Sequence, residues 1–190
     1  MSKDIYQLKI NLLDAKPPIW RRVQVSNDTL LPDLHRIIQV AMGWYNAHLH
    51  QFIVGNWTVI YGPPNPDLED LGIIDYRNVK IGELMHKSKD RIKYEYDFGD
   101  GWLHEILLEK VLEKEKGQQY PVCIKGKRAC PPEDCGGIPG YEEFREIMAD
   151  PEHEEHQEMK EWYEEDWDPE YFDHEEVNAM LQSGDYKDLI

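Results

Sequence analysis

Apolar and polar residues change rhythm along this chain, and the rhythm divides it into strand-like and helix-like regions. From Ile5 to Leu13 they alternate as on a strand. Lys16-Pro17-Pro18 interrupts, and Ile19, Val23 and Val25 then share one parity, which predicts a hairpin. Ser26-Asn27-Asp28-Thr29 supplies N-cap candidates and Pro32 suits a first helical turn. Leu34, Ile37, Ile38 and Ala41 recur at helical spacing, with Gly43 where a C-terminal cap belongs. His48 to Val54 and Trp57 to Tyr61 read as a second hairpin around a two-residue Gly55-Asn56 turn, with Val54 opposite Trp57 and His50 opposite Tyr61. That register puts His48, His50, Phe52, Val54, Trp57, Val59 and Tyr61 on one face, so both histidines are expected to point inward. The Pro- and Asp-rich stretch from Gly62 to Gly72 reads as a loop.

Lys87 to Asp97 alternates a wet parity (Lys87, Lys89, Arg91, Lys93, Glu95, Asp97) with an apolar one (Ile92, Tyr94, Tyr96, and Phe98 beyond). A two-residue turn before Trp102 would set Glu95 against Ile106. A three-residue Gly99-Asp100-Gly101 loop instead pairs Phe98 with Trp102 and Tyr96 with His104, and a slip of one residue would exchange the faces. His104 is therefore expected on the buried face and Asp97 on the wet one, facing away from it. Tyr120 to Ile124 is a short strand candidate, followed by a Pro- and Gly-rich loop from Lys125 to Gly140. From Tyr141 the period becomes helical through Phe144, Ile147 and Met148, then His156, Met159, Trp162 and Tyr163. Asp173 with Glu176 resembles a capping box opening a helix through Val177, Met180 and Leu181. The expected class is α+β: an antiparallel hairpin-built sheet with one helix after the first hairpin and an acidic helical C-terminal region. A single domain over 1–190 is expected, with 5–141 mainly strands plus one helix and 142–182 forming acidic helices packed on that body.

Charge sharpens this division. The 190 residues carry 38 acidic and 21 basic side chains, a net of −17, yet residues 1–141 are almost neutral, with 19 acidic against 18 basic. Glu142 to Glu176 holds 17 acidic and two basic residues. A content of 41% hydrophobic and 11% aromatic residues excludes a disordered chain. No apolar run approaches the ~18 residues of a membrane span. The start lacks the basic and then apolar regions of a secretory signal, and the three cysteines imply no disulfide framework, so a cytoplasmic protein without a membrane partner is expected. The acidic excess opposes binding along a phosphate backbone and favours a basic protein partner for the acidic helices.

Few residues carry obvious chemistry. His48 and His50, two apart on a strand, face the same way and can reach one metal ion; His104, from the other hairpin, is a third candidate ligand. A divalent metal such as zinc is the implied cofactor. The rigid stretch Ala129-Cys130-Pro131-Pro132-Glu133-Asp134-Cys135-Gly136-Gly137 presents Cys130, Glu133 and Asp134 between prolines and glycines, and Asp97, Asp100 and Trp102 flank the tight loop before His104. Lys87, Lys89, Arg91 and Lys93 form a basic strand stripe that can meet a phosphate. There is no phosphate-binding loop, dinucleotide fingerprint or nucleophile elbow.

Six segments, in this order, resemble a known family: Pro18-Ile19-Trp20-Arg21-Arg22; Leu34-His35 with Ile38-Gln39 and Ala41-Met42-Gly43-Trp44; His48-Leu49-His50-x-Phe52; Tyr96-Asp97-Phe98-Gly99-Asp100-Gly101-Trp102-x-His104; Cys130-Pro131-Pro132-Glu133-Asp134-x-Gly136-Gly137; and Asp168-Pro169-Glu170-x-Phe172-Asp173. Together they closely resemble the plasmid pRiA ORF-three-like family, named after an open reading frame of a root-inducing plasmid, from about Ile5 to Leu181. The resemblance implies one α+β domain of bacteria and archaea and no settled activity, although some members carry transposon passenger or resolvase labels. The four serines (Ser2, Ser26, Ser88, Ser183) lie in no recombinase context. Cys135 stands where the family commonly has an apolar residue. Of three functions, a non-catalytic binding or interaction module is expected first. A metal-assisted hydrolase built on the histidines and carboxylates is second, and a nucleic-acid-binding accessory protein of a mobile element third.

Overall fold

The computed structural model describes residues 4–64, 72–163 and 167–188. Most of the loop expected from Gly62 to Gly72, and part of the acidic segment at 164–166, lie outside these. Among the described residues eight strands build one sheet: β1 (Ile5–Leu12), β2 (Trp20–Ser26), β3 (His50–Val54), β4 (Val59–Gly62), β5 (Ile74–Asp75), β6 (Arg91–Tyr96), β7 (Trp102–Leu112) and β8 (Val122–Lys127). The helices are α1 (Leu31–Met42), α2 (Ile81–Leu84), α3 (Gly137–Ala149), α4 (His156–Tyr163) and α5 (His174–Ser183). The order across the sheet is β5-β4-β3-β6-β7-β1-β2-β8, antiparallel except where β4 meets β5. The expected class is therefore met: mixed helices with a mostly antiparallel sheet. Among the described residues no helix is long and apolar enough to cross a membrane.

Alternation along the strands decides which face is buried. Leu8, Ile10, Val23, Val25, Phe52, Tyr94, Tyr96, Trp102, His104, Ile106 and Leu108 are all buried, and α1 contributes Leu31, Leu34, Ile37, Ile38 and Ala41 to the same core. The intervening residues form a wet face of cross-strand pairs: Arg22 grips Glu109 through Nε and Nη2 at 2.6 and 2.7 Å, Arg91 meets Glu105 at 3.2 Å, and Gln51 donates to Glu95 at 2.6 Å. Helix α1 starts after Leu30 with Pro32 in its first turn; Ser26 to Thr29 is a turn before it and supplies no side-chain cap. Gly43, at φ 95°, ends the helix as expected.

Both later hairpins have longer loops than the apolar pattern suggested. Val54 pairs with Val59 and Phe52 with Tyr61, leaving Gly55 to Thr58 as a four-residue loop. Trp57 is left-handed (φ 69°) and exposed in it, away from the inward face expected for it. Tyr96 pairs with Trp102 and Tyr94 with His104, so the second loop runs from Asp97 to Gly101. Each register is shifted by two residues from the expected one, which preserves the parity and hence the faces. Asp97 itself departs: at φ 57° it leaves the strand, turns inward and is 7% exposed, while Phe98 is turned out. The basic stripe also does not form, because the strand starts only at Arg91, with Lys87 and Lys89 in the preceding turn. Helix α3 begins at Gly137, four residues before the expected start, with Pro139 in its first turn. Asp173 does cap α5, but it accepts from Glu175 N, and the Glu176 carboxylate is taken by Tyr171 OH at 2.7 Å.

Arg21 ties the acidic C-terminal segment to this sheet. Its side chain is buried (1% exposed), Nε donates to Ala41 O at 2.6 Å, and Nη1 donates to Trp20 O and Lys127 O, each at 3.0 Å. The guanidinium lies 4.0 Å from the ring centroid of Phe172. Arg21→Met should lower the unfolding free energy by about 2–4 kcal/mol, because it strands the buried carbonyl of Ala41 and the part-buried one of Lys127, on separate elements. Arg21→Lys should recover little of that, since an ammonium cannot span the same forked positions. Urea denaturation of the three proteins checks both; a lysine variant as stable as the parent would show that charge alone suffices.

Candidate functional site

Three of the candidate residues meet at one end of the sheet. His48 sits just before β3, Asp97 just after β6, and Asp134 in the loop between β8 and α3. His48 Nε2 lies 3.3 Å from Asp134 Oδ1 and 3.7 Å from Asp97 Oδ2. One ligand atom from each residue falls within 4.8 Å of the others, and among the described residues no other group of three His, Cys, Asp or Glu side chains does so. The backbone holds these positions: Asp97 N donates to Leu49 O at 2.8 Å, and Gly101 N donates to Asp97 O at 2.6 Å.

His50 and His104 do not join His48. The strand begins only at His50, so the period-two argument that paired it with His48 does not hold there. His50 points into the core, stacks on His35 with ring centroids 3.4 Å apart, and lies 2.9 Å from Tyr76 OH through Nε2. His104 is wholly buried; its Nδ1–H donates to Trp102 O at 2.9 Å, and Trp44 meets its ring edge-on. The expected His48–His50–His104 ligand set is thus divided among three surroundings.

His35 and Gln39 belong to the segments that carry the resemblance but are not among the candidate functional residues, yet His35 organises a closed hydrogen-bond circuit. Gln39 Nε2 donates to Tyr94 OH (2.9 Å), Tyr94 OH donates to His35 Nδ1 (2.8 Å), His35 Nε2–H donates to Asn46 Oδ1 (2.6 Å), and Asn46 N donates to Gln39 Oε1 (3.0 Å). The circuit closes with a neutral imidazole protonated at Nε2. Its signal in the sequence was slight: His35 and Gln39 are polar residues four apart inside the apolar stripe of a helix. Burial pushes His35 down to about 4, His104 also to about 4 and His50 to about 2.

The loop that follows β8 is fastened from several sides. Trp44 Nε1 donates to Pro131 O at 3.0 Å, Tyr45 N donates to Glu133 Oε2 at 3.3 Å, and Tyr96 OH donates to the other oxygen of Glu133. Asp100 Oδ2 accepts from Gly136 N at 3.2 Å, and a Cβ on Gly137 would lie 2.4 Å from Asp100 O, so only glycine allows this approach. Cys123, Cys130 and Cys135 are free thiols. Burial raises all three above their ordinary value, Cys135 to about 12, so they stay protonated at neutral pH. Trp102 is a core residue, and its Nε1 has no hydrogen-bond partner among the described residues.

Beside this loop runs a cleft of about 560 Å³, between the end of α1, Ala129 to Asp134, and helices α4 and α5. Arg21 contributes to its lining. Tyr45 (78% exposed), Trp162 (47%), Tyr171 (52%) and Met180 (52%) all border it. Glu133, Asp134, Asp173 and Glu176 supply an acidic rim.

The family model of plasmid pRiA4b ORF-3-like proteins matches residues 4–176. The chain belongs to that family. The uncharacterized protein y4hQ of Sinorhizobium fredii (strain NBRC 101917 / NGR234) is 40% identical over 163 residues, covering 85% of this chain and 82% of its own length. The crystal structure of MM3350, a protein of unknown function from Methanosarcina mazei Go1, is similar with a TM-score of 0.83 and 37% identity, over 93% of this chain and 99% of that one. In this ORF-3-like protein the segments that carry the resemblance converge. Trp44 packs on Tyr96 and His104, the Cys130–Gly137 loop is bonded by Trp44, Tyr45, Tyr96 and Asp100, and Phe172 covers Arg21.

The depressed imidazoles fix the sign of an acid response. Between about pH 6.5 and 4 the unfolded chain holds protons on His35 and His104 that the folded chain does not, so unfolding takes up protons. Their contribution is complete above pH 6.5 and is lost as the pH falls toward 4, at up to about 1.4 kcal/mol per pH unit for each group. His35→Gln, which can keep one donor and one acceptor in the circuit, should flatten the fall of urea midpoint between pH 6.5 and 4.5. An unchanged slope would place the acid sensitivity elsewhere.

Proposed function

We propose that this ORF-3-like protein is a non-catalytic binding module whose cleft takes a segment of a protein partner carrying lysine or arginine beside an apolar side chain. One observation carries the reading: four large, exposed apolar side chains, Tyr45, Trp162, Tyr171 and Met180, border the same acid-rimmed cleft. Exposed apolar residues are ordinarily scattered, and their gathering marks an interaction surface. The rim selects the partner's charge. Among the described residues four carboxylates line the cleft against the single cation Arg21, whose guanidinium is already committed to carbonyls and to Phe172. A cationic side chain gains there, and a phosphate backbone is repelled. Cys130 also lines the cleft, but its buried, protonated thiol is no ready nucleophile.

Selection of short random peptides on the purified protein tests this. Enriched peptides should combine basic and apolar residues and weaken as salt rises. They should also bind the Tyr45→Ala/Met180→Ala variant about tenfold less tightly. Both positions are exposed, so the variant should melt with the parent. Peptides that bind parent and variant alike, or that are acidic, would overturn the reading.

A further inference from the structure

The His48, Asp97 and Asp134 triad lies at the edge of the cleft and has features that peptide binding does not require. His48 Nε2 is buried, yet it makes no hydrogen bond, although two carboxylate oxygens stand 3.3 and 3.7 Å away. A charge-assisted imidazole–carboxylate bond would draw the pair to about 2.7–2.9 Å with the donor aligned. The Asp97 side chain is 9% exposed. Its Oδ1 accepts from Gly99 N at 2.9 Å, Oδ2 faces His48, and no lysine or arginine among the described residues pairs with it. A buried carboxylate without a cation is costly. The unbonded imidazole and the unpaired carboxylate converge on one point, with Asp134 across from them.

We propose that His48 Nε2, Asp97 Oδ2 and Asp134 Oδ1 form a binding site for one divalent transition-metal cation of the zinc type. Bonds of about 2.0–2.1 Å in a tetrahedral site set ligand atoms roughly 3.3 Å apart, close to the separations from Nε2. One imidazole with two carboxylates suits zinc, cobalt(II) or manganese(II) better than a thiolate-seeking ion. Two ligands have fixed surroundings: the His48 ring meets Tyr96 edge-on, and Asp97 is held by its backbone bonds to Leu49 and Gly101. Asp134, with a side chain 71% exposed, is free to make the small adjustment that closes the site. Three protein ligands leave a fourth position toward solvent. Because Asp134 also lines the cleft, that position is open to a donor group there.

The test uses untagged protein stripped with a chelator and titrated with zinc and with cobalt(II). Calorimetry should give one zinc per chain, cobalt(II) should develop visible d–d absorption, and zinc should raise the melting temperature. His48→Ala and Asp97→Asn should each weaken binding at least about tenfold. Cys130→Ser/Cys135→Ser should leave it unchanged. Asp97 is buried and its variant can misfold, so Asp134→Asn, at an exposed position, serves as the second variant and should weaken binding with the parent melting point retained. Absence of stoichiometric binding, or binding that survives His48→Ala or is lost with the cysteines, would overturn the proposal. Peptide selection on the metal-free protein reads the cleft separately, so either proposal can fail alone.

Discussion

A buried guanidinium without a carboxylate holds this protein's two regions together. Arg21 loses its hydration in the core, and burial lowers its affinity for a proton. The loss is offset by three carbonyl oxygens and by the face of Phe172. The acceptors come from separate places. Ala41 O belongs to the last turn of α1, where carbonyls have no partner within the helix; Lys127 O ends β8; and Phe172 comes from the acidic region. Gly126 completes the arrangement by absence. A Cβ there would lie 2.3 Å from Phe172 Cε1, so any larger residue would lift the ring off the cation. Around this point Ala129 N donates to Pro169 O, and Arg128 reaches both Glu170 and Pro18 O.

That attachment explains how a strongly acidic segment stays on a nearly neutral body. Part of its apolar surface turns inward: Tyr141, Phe144 and Ile147 of α3 are buried, and Phe144 meets Trp162, Tyr163 and Trp167 through ring contacts. Its carboxylates stay at the surface, where water screens their mutual repulsion. Along α3 charge and apolar surface are thereby sorted onto opposite sides, while Trp162 and Tyr171 stay exposed beside the carboxylates. The cleft is where the two sides meet.

The parity of the strands was legible because alternation survives errors in loop length. Both later hairpins close with loops two residues longer than the apolar pattern suggested, and even shifts leave every face intact. The positions that broke the pattern are left-handed residues other than glycine, Trp57 and Asp97, whose conformation side-chain type does not reveal. Asp97 is thus a wet strand residue by alternation and a buried ligand candidate in space. His48 was misplaced for a related reason, since period-two reasoning fails one residue outside the strand. His48, Asp97 and Asp134 had each been singled out, but their meeting depends on loops from three distant segments, which no local pattern encodes.

The least regular part of the fold is also among the most tightly specified. Gly43 to Leu49 has no strand ladder or helix of its own, and unsatisfied backbone groups there would be unstable against the core. Its donors are taken one by one. Gly43 N and Trp44 N bond Gln39 O, Tyr45 N bonds Glu133, Asn46 N bonds Gln39 Oε1, and Ala47 N bonds Tyr96 OH. Gln39 is in the His35 circuit, Tyr96 is the last residue of the strand before Asp97, and Glu133 precedes Asp134. The side chains that fix the approach to His48 therefore lie next to the residues that meet it. A buried polar circuit whose members are all satisfied rigidifies the core around it. Here it serves as the template on which an irregular linker is laid, and the linker carries the imidazole to the two carboxylates.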